Sequence, residues 1–127
     1  MLPPVGQILL DDSGVAVLTT RVFRHGSAPQ RAQAPYITWF QVTGVPENLL
    51  DGSPRVDRCE VQVDCWSENT GNGSRGIETL ARAVRDALEP VAHMTAVVAD
   101  EQDVDTQRYR IGMQFTFWND REEDPLP

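Results

Sequence analysis

Between residues 58 and 65 the chain alternates without a break. Cys59, Val61, Val63 and Cys65 fall on one phase; Arg58, Glu60, Gln62 and Asp64 fall on the other. Side chains along a strand alternate sides, so this run predicts a half-buried antiparallel strand with one apolar and one polar face. The run before it, residues 35–43 (PYITWFQVT), is apolar in both phases: Tyr36, Thr38, Phe40 and Val42 against Ile37, Trp39, Gln41 and Thr43. It predicts a second strand without deciding which phase is the core. Gly44, Pro46, Asn48, Asp51, Gly52, Ser53 and Pro54 lie between the two runs, interrupted by Leu49 and Leu50, and supply turn chemistry. The predicted connection exceeds the roughly two to five residues usual in hairpins, which points to a task beyond reversing the chain.

Helical spacing follows. Ile77, Leu80, Ala81, Val84, Ala87 and Leu88 recur every three or four positions and predict a buried stripe on a helix over residues 75–89. Ser74 is the expected N-cap and Pro90 the stop. On the opposite face Glu78–Arg82 and Arg85–Glu89 stand four apart, each pair worth about 0.3 kcal/mol. At the N-terminus, residues 3–11 (PPVGQILLD) predict a short helix with proline tolerated in its first turn, and residues 12–19 continue it or add a turn. A short strand is expected over Arg21–Arg24, then a connector rich in Pro, Gln and Ala as far as Pro35. Residues 94–100 and 107–118 read as a closing hairpin, with Tyr109, Ile111, Met113, Phe115 and Phe117 alternating against Arg110, Gly112, Gln114, Thr116 and Trp118.

Together these elements predict an α+β fold: an antiparallel-dominated sheet of about four strands, one long amphipathic helix packed on it, and a short helical N-terminus. The expected domain is residues 1–118, with an acidic and mobile tail over 119–127.

The order of motifs carries a family resemblance. The string PYI..F..V.GVP, then LLDG, then VQVDCW, resembles the tail-completion (tail terminator, head-to-tail joining) proteins of long-tailed bacteriophages. RVFRHGSAPQ at residues 21–30 is similar to that family's short strand and Ala-Pro-Gln turn, GIETLARAVRDAL at 76–88 to its helix, and YRIGMQFTFW at 109–118 to its closing strand. The Gly-rich stretch SENTGNGS at 67–74 departs from the pattern. The resemblance implies a structural virion protein made in the host bacterial cytoplasm and placed at the head–tail junction. It further implies a self-associated ring, a homohexamer, that caps the tail tube protein and meets a head completion or connector protein, with DNA only as passing cargo. A head-closure or minor tail component is the neighbouring alternative; a small ligand-binding domain or enzyme is the more distant one.

Three tryptophans are the candidate contact residues. Trp66 and Trp118 fall in the polar phases of their strands, and Trp39, out of phase with Tyr36, can join them. Large aromatics on a polar face anchor interfaces; alternatively the N-terminal helix, through Val5, Ile8 and Leu9, packs over them. Leu49 and Leu50 complete the candidate set, as an intermolecular contact from the connecting segment.

Composition narrows the chemistry. A chain of 127 residues forms one domain, and folding buries roughly two thirds of its unfolded surface. No apolar run reaches the ~20 residues of a membrane span, and the start Met1-Leu2-Pro3-Pro4 lacks the basic residues of a secretion signal, so no membrane partner is expected. The net charge of −8 opposes phosphate binding; ordinary solubility is its favoured explanation, and it merely permits the channel for passing DNA that the resemblance implies. All eleven basic residues are Arg, which excludes a Schiff-base lysine and a P-loop lysine.

Cys59 and Cys65, six apart on one strand, stand about 20 Å from each other, beyond the ~7 Å a disulfide spans. His25 and His93 have no neighbours at zinc spacing. Asp100, Glu101, Asp103 and Asp105 miss the calcium-loop pattern and read as a solvated turn. No cofactor, metal site or catalytic set is expected.

Overall fold

The computed structural model describes residues 3–24, 34–49, 52–68 and 73–120; for 43–49, 52–57, 73–75 and 119–120 the description is of the backbone. The alternating run forms the middle of β3 (Gly52–Ser67), and its apolar phase is the floor of the core, with Cys59, Val61, Val63 and Cys65 each at most 2% exposed. β2 (Tyr36–Leu49) and β5 (Tyr109–Asp120) flank β3 in antiparallel register. Val61 lies opposite Phe115, Val63 opposite Met113 and Trp39, and Cys65 opposite Ile111 and Ile37, so the apolar phases of three strands meet on one face. β4 (His93–Gln102) pairs antiparallel with β5.

The sheet has five strands, not about four, in the order β1-β2-β3-β5-β4. Nor is it wholly antiparallel, since β1 (Val22–Arg24) runs parallel to β2, Val22 opposite Ile37 and Arg24 opposite Trp39. Three helices are described: α1 (Val5–Asp11), α2 (Ser13–Ala16) and α3 (Gly73–Leu88). Asp12 caps α2 by accepting a hydrogen bond from the Val15 amide at 3.0 Å. α3 starts one residue before Ser74, which is therefore inside the helix rather than capping it. The solvent face of α3 carries the expected pairs, Arg82–Glu78 at 2.9 Å and Arg85–Glu89 at 3.9 Å.

All three helices belong to one layer. Ile77, Leu80, Ala81, Val84, Ala87 and Leu88 from α3 join Val5 and Leu9 of α1 and Val15 of α2 in a single cluster with Ile37, Trp39, the β3 floor and Met113, Phe115 and Phe117 of β5. Among the described residues no helix covers the other face of the sheet.

The segment expected to be a long turn is instead a hairpin arm. β2 continues to Leu49 and β3 restarts at Gly52, with Leu49 opposite Gly52, Glu47 opposite Val56 and Pro46 opposite Asp57. Its register shifts between Gln41 and Thr43 and again between Glu47 and Leu49. β1 accompanies β2 only as far as Trp39, and β5 accompanies β3 only to Val56. Only the end of the arm, beyond Glu47 and Val56, therefore extends past both flanking strands. At the other end of the chain, β5 reaches Asp120, two residues past the expected boundary; the rest of the acidic segment lies outside the described residues.

Candidate interaction surface

The polar phase of β3 lies on the uncovered face. Tyr36 and Thr38 of β2, Trp66, Asp64, Gln62 and Glu60 of β3, and Arg110, Gly112, Gln114 and Thr116 of β5 stand there in cross-strand rows. At one corner Tyr36 and Trp66 stack, ring centroids 5.8 Å apart and planes 10° from parallel, and Phe23 of β1 meets Tyr36 edge-on at 6.2 Å. Guanidinium groups close the stack: Arg108 lies 5.6 Å from the Tyr36 ring centre and Arg110 5.5 Å from that of Trp66. The Trp66 indole N–H donates to Thr38 Oγ1 at 3.2 Å, which fixes the ring. Each partly exposed cation–ring contact contributes about 0.5–1 kcal/mol in favour of this stacked arrangement.

Arg110 also reaches two carboxylates, Glu101 Oε1 at 2.7 Å and Asp64 Oδ2 at 3.8 Å. Asp64 is 5% exposed, and its Oδ1 accepts a hydrogen bond from Gln62 Nε2 at 3.0 Å. Burial raises its carboxyl above the ordinary value; the Gln62 bond and Arg110 pull it back, and Glu101 adds to the rise. Gly112 lies directly opposite Asp64, and a side chain there has no room: a Cβ would fall 2.5 Å from Asp64 Oδ1 and 3.2 Å from Val98 Cγ2.

The sequence-predicted contact residues divide. Trp66 and Trp118 are on the uncovered face, Trp118 at the far end opposite Arg58 and 55% exposed. Trp39 is not with them. It is 8% exposed on the helix side, its indole nitrogen 3.6 Å from where a Cβ of Gly6 in α1 would be, and Arg24 lies 5.5 Å over its ring. The reason is phase: Trp39 points with Ile37, opposite Val63, and the N-terminal helices cover that phase, not the one bearing Trp66 and Trp118. Leu49 ends β2 in the hairpin arm, while Leu50 lies outside the described residues.

A second feature had no sequence signal. An open groove of about 740 Å³ lies between α3 and the edge strand β4, with Ile77, Ala81, Met94, Val97, Ile111 and Met113 as its apolar lining. Glu78, Arg82, Arg85, Asp100 and Glu101 form its charged rim. Only the three-dimensional gap between helix and edge strand reveals it, because the residues come from three separate segments.

Elsewhere the chemistry is structural. Asp103 Oδ1 accepts from the amides of Asp105 and Thr106 at 2.9 and 3.0 Å, bonds that hold its carboxyl below the ordinary range and tie the β4–β5 turn. Among the described residues no group of His, Cys, Asp and Glu is placed to hold a metal ion. Cys59 and Cys65 are free and buried, and burial beside Asp64 pushes the Cys65 thiol well up. His93 is exposed; His25 lies outside the described residues. No described helix is long and apolar enough to cross a membrane.

By class this is a small two-layer α+β domain, with helices on one face of a five-stranded sheet. The chain belongs to the family of the tail completion protein gp17, whose family model matches residues 3–120. It is thus a structural phage tail protein of the completion type. In fold it is similar to a chain of the "Virion of native gene transfer agent (GTA) particle", with a TM-score of 0.65, 16% identity, and 90% of each chain covered. No curated protein matches the chain in sequence.

Proposed function

We propose that copies of this chain form a closed ring, a homohexamer, that caps the finished tail tube and offers a docking surface to the head's connector. The observation that carries this reading is the family match over nearly the whole domain. The occurrence of a chain of the same fold in a virion particle supports the setting. Physically, a ring of identical subunits needs two different patches per subunit, related by a rotation that closes. Each contact needs to bury about 1,000 Å² or more to persist.

In this reading the tail tube protein and a head completion or connector protein are the partners, at the head–tail junction. DNA passes through as cargo; a net charge of −8 does not hold phosphate. The role is one of shape and adhesion, without catalysis or a cofactor. Trp66, Trp118, Leu49 and Leu50 are the contact residues, whereas Trp39 serves the subunit's own core.

The arm gives the direct test. Replacing Leu49 and Leu50 together by Ser should weaken assembly while the subunit stays folded, because the arm projects beyond the strands that flank the core. Light scattering and thermal melting measure the two properties separately. Assemblies of unchanged size would remove the arm from the contact.

A further inference from the structure

We infer that the β1 edge of one subunit docks against the β4 edge of the next copy, with Arg24 of the first meeting Asp100 of the second beside the α3–β4 groove. This inference rests on the ring reading above and names the two surfaces that make its subunit contact.

The two edges carry opposite charge. Residues 13–46 hold Arg21, Arg24 and Arg31 and no Asp or Glu, in a chain whose net charge is −8. Residues 93–107 hold Asp100, Glu101, Asp103 and Asp105 and no Arg. The sheet order β1-β2-β3-β5-β4 turns this separation along the chain into one in space. β1 forms one edge and β4 the other, about 19 Å apart at ~4.8 Å per strand. The neighbouring helices bring Asp11 and Asp12 toward β1, but those carboxylates accept bonds from Gln7 Nε2 at 2.8 Å and from the Val15 amide at 3.0 Å.

Phase and height agree as well. Arg24 stands opposite Trp39, and its guanidinium lies 5.5 Å from that ring's centre, so it projects on the helix side. Asp100 stands opposite Ile111, which packs against the core, so it too is on the helix side, where it lines the groove. One cross-strand row runs Arg24, Trp39, Val63, Met113 and Val97; the next runs Val22, Ile37, Cys65, Ile111 and Asp100. A copy placed alongside, helices on the same side, therefore brings Arg24 within one row of Asp100. The Arg24 stem then lies over Val97, which is 57% exposed.

Both charged groups are available for such a contact. Arg24 and Asp100 are exposed, and among the described residues neither forms an ion pair, whereas Glu101 is held by Arg110 at 2.7 Å. Two unlike edges related by a closing rotation are what a ring of identical subunits uses. Opposite charge also decides which edge meets which, since β1 against β1 or β4 against β4 would set like charges together.

The test is a charge swap in the full chain, assembled onto tails and followed by light scattering and negative-stain microscopy. Arg24→Glu and Asp100→Arg should each raise the concentration needed for assembly about tenfold or more, because each places like charges face to face. The double variant should return it to within about threefold of the unmodified chain. A double variant as weak as either single, or singles that assemble normally, would overturn the edge contact while rings from the unmodified chain leave the ring reading intact. Absence of rings from the unmodified chain on tails would overturn the ring reading and the edge contact with it.

A cross-link decides the matter if the charge reversals fail to fold. Arg24→Cys combined with Val97→Cys, positions that share a row, should give a ladder of covalent oligomers on a non-reducing gel after mild oxidation. Each single variant should run as a monomer, since native Cys59 and Cys65 are 2% and 0% exposed. Rings without a ladder would overturn the edge contact.

Discussion

Phe115→Ala is expected to destabilise the subunit by about 3–5 kcal/mol, the cost of emptying a fully enclosed aromatic site. Phe115 is 0% exposed, lies opposite Val61 on one side and Met94 on the other, and joins the residues of α3 in the core. Two neighbouring strands and the helix hold their positions by backbone ladders, so the site has little freedom to collapse. A loss of that size is a large share of the roughly 5–15 kcal/mol that holds a domain together. The midpoint of thermal unfolding should fall by about 10–25 °C. Val17→Ala, at an 83% exposed position, should change stability by no more than about 0.5 kcal/mol. Equal melting of the two variants would show that the core does not lie where the strand register places it.

Gly112→Ala should cost about 1–3 kcal/mol through overpacking, and the cost should depend on Asp64. The new methyl group would meet Asp64 Oδ1 at 2.5 Å. That oxygen is not a free end, since Gln62 donates to it and the side chain is buried beside Arg110. Two effects oppose each other. Alanine reduces the freedom of the unfolded chain, worth about 0.4–1 kcal/mol in favour of folding, but only where the native site admits it. With Asp64 present the clash wins. In an Asp64→Ala background the same substitution should become near neutral, and a double-mutant cycle by denaturant unfolding reads the difference.

The same carboxylate sets a pH signature. Its folded-state titration lies above the ordinary value near 3.8, so the folded state binds the proton more readily than the unfolded one. The stabilisation from that proton is complete below the ordinary value and is lost as pH rises through the higher folded value. Asp64→Asn should remove this dependence, since an amide keeps the hydrogen bond to Gln62 without the cost of a buried charge.

Much of the scaffold was legible because burial imposes periodicity. β3 had to alternate to put Cys59, Val61, Val63 and Cys65 under a helix, and α3 had to repeat at three and four to cover them. The first strand was ambiguous for an equally physical reason: residues 36–42 are apolar or aromatic in both phases. One phase faces the helices through Ile37 and Trp39, and the other builds the Phe23–Tyr36–Trp66 platform. Without the structure, Trp39 and Trp66 looked alike.

The arm was misread because its composition is that of a turn. Pro46 and Pro54 normally break a sheet, yet each lies where its strand has a neighbour on one side only among the described residues. Proline is tolerated at such an edge because the missing amide need not break a ladder bond. The parallel direction of β1 had no signal at all, because three residues are too few to carry one. The groove was likewise invisible to pattern reading.

Tails produced in cells that lack this chain, and in the same cells with it restored, test the central claim most directly when imaged by electron microscopy. The ring-cap account predicts overlong or headless tails without the chain and normal, joined particles with it. Tails of correct length joined to heads in its absence would contradict the account.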